Sequence, residues 1–496
     1  MSKSDPLEDL DLLLRSRYAL VVIDTPEEDR VNSLLMHLAD RRSLPLFTWT
    51  PTKGLRRQGM PSAVYGTTDP IAALDHVESS RLAAVYQFEG LQPFLTEPLI
   101  VGKLKDAASQ LVDREGAIIL TGAGTKLPEP MRALGTRLSM PPPDLDEYRD
   151  LLLHILRDLK TRDRIQVEIT TDERNRLLQN LRGLTLLEAE KILTRSIVED
   201  GRLGADDLRK VVEAKKEIVE REGLLEYYPV EETMAGVADL ASLKSWLAKR
   251  QKIVSEPERA AEFGLEFPKG VLLLGVPGCG KSLCAKAVAM EWGLPLLKLD
   301  PSNLYNKYIG ESERNFKRAM ETAERMSPVV LWIDELEKAF SGSGDSDDGV
   351  SMRILGSFLS WMQDRRGDVF VVATANDVQR LPAEFLRKGR FDEIFFVDLP
   401  DAETRARIFE IHLEKRGHDP ARFETERLAE AAEGFSGSEV EGAVVAALYT
   451  AFSDAGALGT EDLLREIGAT RPLSVLMGEK VAALRAWAEG RTVRAN

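Results

Sequence analysis

The chain has 496 residues, 43% of them apolar and 30% charged, a balance that excludes wholesale disorder and predicts about three folding units. Its 66 basic and 81 acidic residues give a formal charge of −15, which disfavours a nucleic-acid partner because a phosphate backbone repels that charge. Two cysteines exclude a disulfide framework, and no apolar run reaches the ~18 residues of a membrane-spanning helix, so we expect a cytoplasmic protein that binds no membrane.

Three short apolar segments of the amino-terminal half are typical of buried strands, and they lie within residues 19–23, 83–88 and 117–122. Farther along, residues 204–223 carry apolar residues at helical spacing amid mixed charges. This pattern predicts a helix that connects the two halves of the chain and ends near Gly223.

Residues 270–282 read GVLLLGVPGCGKS and predict a buried strand, a glycine-rich loop and the start of a helix. The glycines allow backbone N–H groups to converge on phosphate oxygens. Lys281 supplies a positive charge to the terminal phosphates, the Ser282 hydroxyl suits Mg²⁺, and the helix adds the positive end of its dipole. The pattern predicts a nucleoside triphosphate site, and a glycine-rich loop without a ligand is the alternative.

Two further apolar strands end in polar side chains. Residues 329–335 read VVLWIDE, in which Asp334 suits the water shell of Mg²⁺ and Glu335 is placed to orient an attacking water. Residues 369–373 lead towards Asn376, whose amide suits hydrogen bonds to that water and to the γ-phosphate.

A basic segment follows, in which Arg387 and Arg390 are suited to stabilise negative charge in a transition state. A solvated basic turn is the alternative interpretation. With these motifs and the GFSG of residues 434–437, residues 226–488 resemble the AAA+ ATPases of the classic clade. The resemblance implies ATP hydrolysis with Mg²⁺ in a ring, usually a homo-hexamer, in which both arginines act on the nucleotide of the neighbouring subunit.

The same resemblance implies a set of nucleotide contacts. It places the adenine against His412 and Gly437, with Val237 and Ala238 as a weaker match, and a packed helix residue is the alternative for His412. The remaining contacts belong to the glycine-rich loop and the start of its helix: Pro277, Gly278, Cys279, Gly280, Lys281, Ser282 and Leu283. The two cysteines fit small packing residues better than a redox switch.

Residues 307–313 read KYIGESE and resemble the aromatic–apolar–glycine loop with which members of that clade grip a polypeptide in the central channel. Tyr308 would contact the polypeptide and Ile309 would support it, because an aromatic ring makes largely apolar contacts that suit many sequences. A tyrosine packed under the ring interface is the alternative.

The amino-terminal half resembles a degenerate copy of this module. At an offset of 251, residues 19–31 align with residues 270–282, but acidic residues replace the three glycines and Arg30 replaces the lysine. Each carboxylate ~4 Å from a phosphate costs about 4 kcal/mol at an effective dielectric near 20. We therefore expect no nucleotide there, and an unrelated α/β domain is the alternative.

The order of parts along the whole chain resembles the AAA+ family known as a hypothetical chloroplast reading frame product. The predicted fold is α/β, with two tandem AAA+ modules that each contain a parallel five-stranded sheet flanked by helices and a helical lid. We predict these boundaries: a degenerate module over 1–200, a linker helix over 201–225, the ATPase core over 226–400, a lid with C-terminal helices over 401–488, and a flexible tail over 489–496.

Three functions are compatible with these residues. The first is a ring ATPase that remodels or threads a protein partner. The second is an ATP-dependent assembly switch that recruits partners through the amino-terminal module without threading. The third, a nucleic-acid motor, is disfavoured by the net charge.

Overall fold

A computed structural model describes most of the chain in two compact units. The described residues are 5–127, 129–132, 134–162, 166–221, 223–228, 238, 240–301, 311–339, 348–365, 367–454 and 456–495. The first unit contains Met1–Ile165 and Leu184–Arg195, and the second contains Gln166–Gly183 and Ser196–Asn496. Among the described residues no helix combines the length and the apolar character needed to cross a membrane.

The first unit is built on a six-stranded sheet. Its strands are β1 (Leu20–Ile23), β2 (Leu46–Thr50), β3 (Gly54–Arg57), β4 (Val85–Glu89), β5 (Ala117–Thr121) and β6 (Gly135–Leu138). Its first helices are α1 (Pro6–Arg15), α2 (Glu28–Arg42), α3 (Pro70–Ser79), α4 (Pro98–Val112) and α5 (Leu145–Arg162). The order is β3-β2-β4-β5-β1-β6, parallel throughout except for the antiparallel edge pair β2–β3.

The elements that follow α5 are divided between the two units. They are β7 (Gln166–Val167), α6 (Thr171–Leu181), α7 (Leu186–Asp200), β8 (Arg202–Leu203) and α8 (Ala205–Glu220). Helix α7 belongs to the first unit as far as Arg195 and to the second unit from Ser196. Strands β7 and β8 form a small parallel pair of their own.

The second unit is built on a seven-stranded sheet. Its strands are β9 (Leu225–Tyr228), β10 (Gly270–Gly275), β11 (Leu296–Leu299), β12 (Val329–Ile333), β13 (Val369–Ala375), β14 (Glu393–Val397) and β15 (Val493–Arg494). Their order is β15-β14-β10-β13-β12-β11-β9, parallel except where β9 runs antiparallel to β11.

Helices surround this sheet and form a separate bundle after it. Those in the sheet region are α9 (Ala241–Ser255), α10 (Pro257–Glu262), α11 (Lys281–Trp292), α12 (Glu311–Arg325) and α13 (Asp348–Asp364). The later ones are α14 (Ala402–Glu414), α15 (Thr425–Ala431), α16 (Gly437–Ser453), α17 (Thr460–Ala469), α18 (Leu473–Leu476) and α19 (Gly478–Ala488). Short 3₁₀ helices occupy Gln92–Thr96, Glu129–Met131, Leu336–Ala339, Ala383–Leu386 and Pro420–Arg422.

Both sheets contain the same five-stranded parallel frame. In each frame the first strand along the chain lies between the fourth and the fifth, and the third lies between the fourth and the second. The prediction of two α/β modules with a five-stranded parallel core is therefore confirmed. Strand β3 in the first sheet, and β9 and β15 in the second, extend these frames at their edges.

The interior strand β10 explains why the second sheet is covered on both faces. Every residue of β10 is buried. Val271 and Leu273 belong to one apolar core, whereas Leu272 and Leu274 belong to the core on the opposite face. Successive side chains of a strand point to opposite faces, so this continuous apolar run requires helices on both sides. The later bundle has its own core around Phe409 and Val444.

Helix α8, where the sequence predicted a connecting helix, packs within the second unit. Its residue Val219 and the following Leu224 share the core that contains Met326 of the loop after α12. Gly183, between α6 and α7, is at φ +86°, and a Cβ atom there would lie 2.8 Å from the Cα atom of Met326. The domain boundaries stay a prediction.

We expect Gly183→Ala to destabilise the second unit more than Gly201→Ala does. Gly201 is also at positive φ (+70°), but a Cβ atom there would have no neighbour within 4 Å, so alanine costs only backbone strain, about 1 kcal/mol. At Gly183 the backbone of Met326 must also shift, which adds about 1–3 kcal/mol. Urea unfolding followed by tryptophan fluorescence measures both losses, and equal losses would contradict the close contact.

Candidate nucleotide site

The glycine-rich loop lies between β10 and α11, at the carboxyl end of a strand that is buried along its whole length. A Cβ atom at Gly275 would lie 1.9 Å from the carbonyl oxygen of Val397 on β14, so only glycine fits there. Gly278 is at φ +79°, and a Cβ atom there would lie 2.2 Å from the Oγ of Ser438 on α16. These two close approaches explain why glycine is needed at positions 275 and 278.

Lys281 places a buried positive charge at the centre of this loop. The residue is only 5% exposed, and its Nζ donates to the carbonyl oxygens of Gly275 (3.0 Å) and Val276 (2.7 Å). Burial lowers the pKa of Lys281 to about 8. No carboxylate of the described residues lies within ion-pair distance of its ammonium, so the loop favours an anionic ligand.

Oxygen atoms from three elements converge beside this lysine. The Ser282 hydroxyl donates to Oδ1 of Asp334 (3.1 Å), and the Thr374 hydroxyl donates to the same oxygen. Strands β12 and β13 are paired in register with Ile333 opposite Ala373, which brings their carboxyl ends together. Hydroxyl and carboxylate oxygens are the donors that Mg²⁺ prefers, so Ser282 and Asp334 fit the ion that the sequence predicts.

Glu335 and Asn376 are in hydrogen-bond contact with each other. The Asn376 Nδ2 donates to Oε1 of Glu335 (3.2 Å), and the Asn376 backbone N–H donates to Oε1 of Glu337 (2.9 Å). Burial raises the pKa of Glu337, which fits a carboxyl group held inside the protein as a support for the Asn376 backbone. The Oδ1 of Asn376 is buried and has no partner among the described residues, so this amide oxygen is available for a water molecule.

A cavity of about 590 Å³ joins these groups to the helices that follow the sheet. That volume suits a small organic ligand. Most of the predicted site residues line it, namely Ala238, Pro277, Gly278, Cys279, Gly280, Lys281, Ser282, Leu283, Asp334, Glu335, Asn376, His412 and Gly437. Val237, Tyr308 and Ile309 lie outside the described residues. The role of each lining residue stays a prediction.

His412 lies on the wall that α14 and α16 form. Burial lowers its pKa, and its Nδ1 lies 3.5 Å from Oε1 of Glu441. Arg416 donates to the same glutamate oxygen (2.9 Å) and to the carbonyl oxygen of His412 (3.1 Å). A neutral, half-buried ring on a cavity wall is compatible with an adenine contact.

Burial raises the thiol pKa of both cysteines to about 12. A thiol with such a high pKa stays protonated and therefore unreactive, which agrees with their interpretation as packing residues.

The two arginines differ in their surroundings. Arg390 donates to the carbonyl oxygen of Leu359 and to Oε1 of Gln363 (3.1 Å), both on α13. Arg387 is exposed and makes no side-chain hydrogen bond to a described residue. Neither arginine lines the cavity of its own chain. Their separation from this cavity is compatible with an action on a neighbouring subunit.

Several contacts of the site involve residues that lie outside the motifs recognised in the sequence. The Ser438 backbone N–H donates to the Gly278 carbonyl oxygen (3.0 Å), which joins α16 to the glycine-rich loop. Ser436 and Glu439 form a capping box at the start of α16. Their Ser-x-x-Glu spacing is a sequence signal that predicts the start of a helix. Lys338 forms an ion pair with Glu335, and only its position three residues after Glu335 hints at this pair in the sequence.

The corresponding turn of the first unit has different chemistry. Arg30, at the position of Lys281, donates to both carboxylate oxygens of Glu147 (2.7 and 2.8 Å). The Glu27 carboxylate, at the position of Gly278, accepts the backbone N–H of Leu186 (2.8 Å). The basic group is thus neutralised by a carboxylate, and burial together with nearby acids raises the pKa of Glu89 to about 6. These surroundings repel a phosphate.

Both halves of the chain are similar to known AAA ATPases. Residues 271–399 match the AAA family, described as ATPase family associated with various cellular activities. Residues 6–140 and 146–222 match the N-terminal and second domains of SpoVK-like AAA ATPases. The AAA domain-containing protein ycf46 of Pyropia yezoensis is 35% identical over 495 residues, which are 99% of each chain. This chain belongs to the ycf46 family of AAA ATPases.

Other relatives extend the comparison. The ycf46 protein of Trieres chinensis is 34% identical over 98% of this chain and 97% of its own length. The proteasome-activating nucleotidase of Methanosarcina mazei is 33% identical over 222 residues, 43% of this chain and 52% of that protein. The family that the sequence resembles is therefore confirmed, and so is the fold of two α/β modules.

We expect Lys281→Ala to weaken ATP binding by at least about 100-fold, because it removes the cation that no other described group replaces at the loop. Arg30→Gln is the matched control, since Arg30 occupies the corresponding position of the first unit but is paired with Glu147. Isothermal titration calorimetry with ATP measures both affinities. Retained binding in Lys281→Ala, or an equal loss in Arg30→Gln, would contradict this assignment.

Proposed function

We propose that this AAA ATPase is a Mg²⁺-dependent ATP phosphohydrolase that assembles into a homo-hexameric ring and remodels or threads a protein partner. The observation that carries the proposal is the convergence of Lys281, the Ser282–Asp334 pair and the Glu335–Asn376 pair on one cavity. These are the groups that phosphoryl transfer to water requires: a phosphate cradle, oxygen ligands for a metal ion and a carboxylate that orients the nucleophile.

Each residue has a role in this proposal. Lys281 and the loop N–H groups would hold the phosphates, and Ser282 and Asp334 would hold Mg²⁺, which would supply positive charge to the phosphate oxygens. Glu335 accepts a proton from the attacking water, and Asn376 orients both the carboxylate and the water. His412 and Gly437, with Ala238, enclose the adenine.

The location of the two arginines is an argument for assembly into a ring. A transferring phosphoryl group needs additional positive charge as the reaction proceeds, and neither Arg387 nor Arg390 lines the cavity of its own chain. We infer that Arg387 completes the site of the adjoining subunit, because its guanidinium is exposed. Arg390 instead holds the end of α13, where it donates to Leu359 and Gln363.

We expect Arg387→Ala to retain ATP affinity and to lose at least about 100-fold in kcat, a size typical of a lost transition-state donor. Arg390→Ala should lose less, since its guanidinium is bound to its own chain. Steady-state ATP turnover measures both changes.

A mixing experiment tests whether Arg387 acts across a subunit contact. Arg387→Ala chains retain Glu335, and Glu335→Gln chains retain Arg387, so a mixed ring contains complete sites although each variant alone is inactive. Recovery of turnover on mixing is the expected result. No recovery, together with a turnover per chain that is independent of dilution, would contradict the shared site.

The proposed action on a protein partner rests on the resemblance of residues 307–313 to a channel loop, and the likeness to proteasome-activating nucleotidases is compatible with it. We expect unfolded casein to stimulate ATP turnover and Tyr308→Ala to abolish that stimulation. Tyr65→Ala is the control, because Tyr65 is a fully exposed tyrosine of the first unit. Stimulation that persists in Tyr308→Ala would favour the assembly switch over threading.

A further inference from the structure

The carboxylate of Glu335 is paired with a lysine that the proposed chemistry does not use. The Lys338 ammonium forms an ion pair with Oε2 of Glu335, while the Asn376 amide donates to Oε1. Both oxygens of the proposed base are therefore occupied by donors of the protein itself. The ion pair raises the pKa of Lys338, so this lysine is positively charged at neutral pH.

The local backbone directs Lys338 to this position. The Lys338 N–H donates to the Glu335 carbonyl oxygen (2.8 Å), which closes a tight turn that continues as the short helix Leu336–Ala339. Leu336 and Glu337 anchor this turn, at 1% and 5% exposure. Glu335 itself is at φ +49°, a conformation that costs a non-glycine residue about 1–2 kcal/mol. The surrounding contacts thus hold both residues of the pair in a defined geometry.

Thr374 fixes the backbone of Glu335 from the side opposite the turn. Its hydroxyl oxygen accepts the Glu335 backbone N–H (3.0 Å), and this threonine is 1% exposed. The Glu335 backbone is therefore held at its amide by β13 and at its carbonyl by the turn, which leaves side-chain rotation as its main freedom. The carboxylate can then exchange one partner for another without a change in the strands.

We propose that Lys338 is a positioning residue that holds the Glu335 carboxylate in a resting orientation, which we call the Lys338 latch. The inference rests on the proposed function, because it concerns the same carboxylate. A carboxylate that orients a water must offer it a lone pair, and an ammonium on that carboxylate competes with the water. Hydrolysis is therefore faster when Glu335 has left Lys338.

An exposed pair elsewhere in the second unit provides a matched comparison. Lys317 lies 2.6 Å from Glu313, with side-chain exposures of 60% and 35%, close to the 66% and 36% of Lys338 and Glu335. Both residues of that pair lie on α12, and neither lines the nucleotide cavity. A general effect of removing an exposed lysine from an ion pair would thus be seen at Lys317 as well.

The test is the steady-state kcat of the full chain at saturating ATP and Mg²⁺. We expect Lys338→Gln to raise kcat about three- to fivefold, the size of an exposed ion pair, with KM unchanged within about twofold. Lys338→Arg restores the cation and should keep the kcat of the unmodified chain. Lys317→Gln should also keep it. Because salt screens exposed charges, the ratio of the Lys338→Gln and unmodified rates should fall as salt rises.

A double-mutant cycle shows whether Lys338 acts through Glu335. In a Glu335→Gln chain no charged carboxylate remains to be held, so Lys338→Gln should leave the residual rate unchanged. An unchanged or lowered kcat in Lys338→Gln, or the same increase in the Glu335→Gln background, would overturn the latch alone. Absence of any ATP hydrolysis by the unmodified chain would overturn the proposed function and the latch with it.

Discussion

One buried hydroxyl group organises the edge of the sheet on which the proposed chemistry depends. Thr374, at the end of β13, donates to the Asp334 carboxylate and accepts the backbone N–H of Glu335, which follow β12. These bonds exist because β12 and β13 are parallel and in register, so their carboxyl ends coincide. A shift of one residue in that register would turn every side chain of the shifted strand to the other face of the sheet, and Thr374 would lose its bonds to Asp334 and Glu335.

The two halves of the chain show that a shared frame does not determine a shared chemistry. Both sheets have the same order of five parallel strands, and in both a turn and a helix follow the first strand. In the second unit that element is a glycine loop around a buried lysine that has no carboxylate partner among the described residues. In the first unit the corresponding residue, Arg30, donates hydrogen bonds to both carboxylate oxygens of Glu147. The difference lies in side chains of the turn, as expected when function depends on loops attached to a common fold.

Much of the candidate site could be predicted from the sequence because strand ends mark it. Polar residues directly after apolar runs identified Asp334, Glu335 and Asn376, and the glycine spacing identified Lys281. These signals are local, and the parallel sheet converts them into proximity.

The remaining features depend on contacts between distant residues. The bond from Ser438 to Gly278 joins positions 160 residues apart, and the attachment of Arg390 to α13 separates two arginines that look equivalent in the sequence. The Lys338–Glu335 pair is local, but its geometry depends on the turn and on the positive φ of Glu335. Such partnerships are set by tertiary packing, which residue spacing does not encode.

The central claim is that each chain has one working nucleotide site, and that this site is in the carboxyl-terminal half. The most direct measurement is the binding stoichiometry of ATP with Mg²⁺ on the full-length Glu335→Gln chain, in which the bound nucleotide is not consumed. We expect one ATP per chain, and none after Lys281→Ala is added. Two ATP molecules per chain, or one that remains after Lys281→Ala, would contradict the claim.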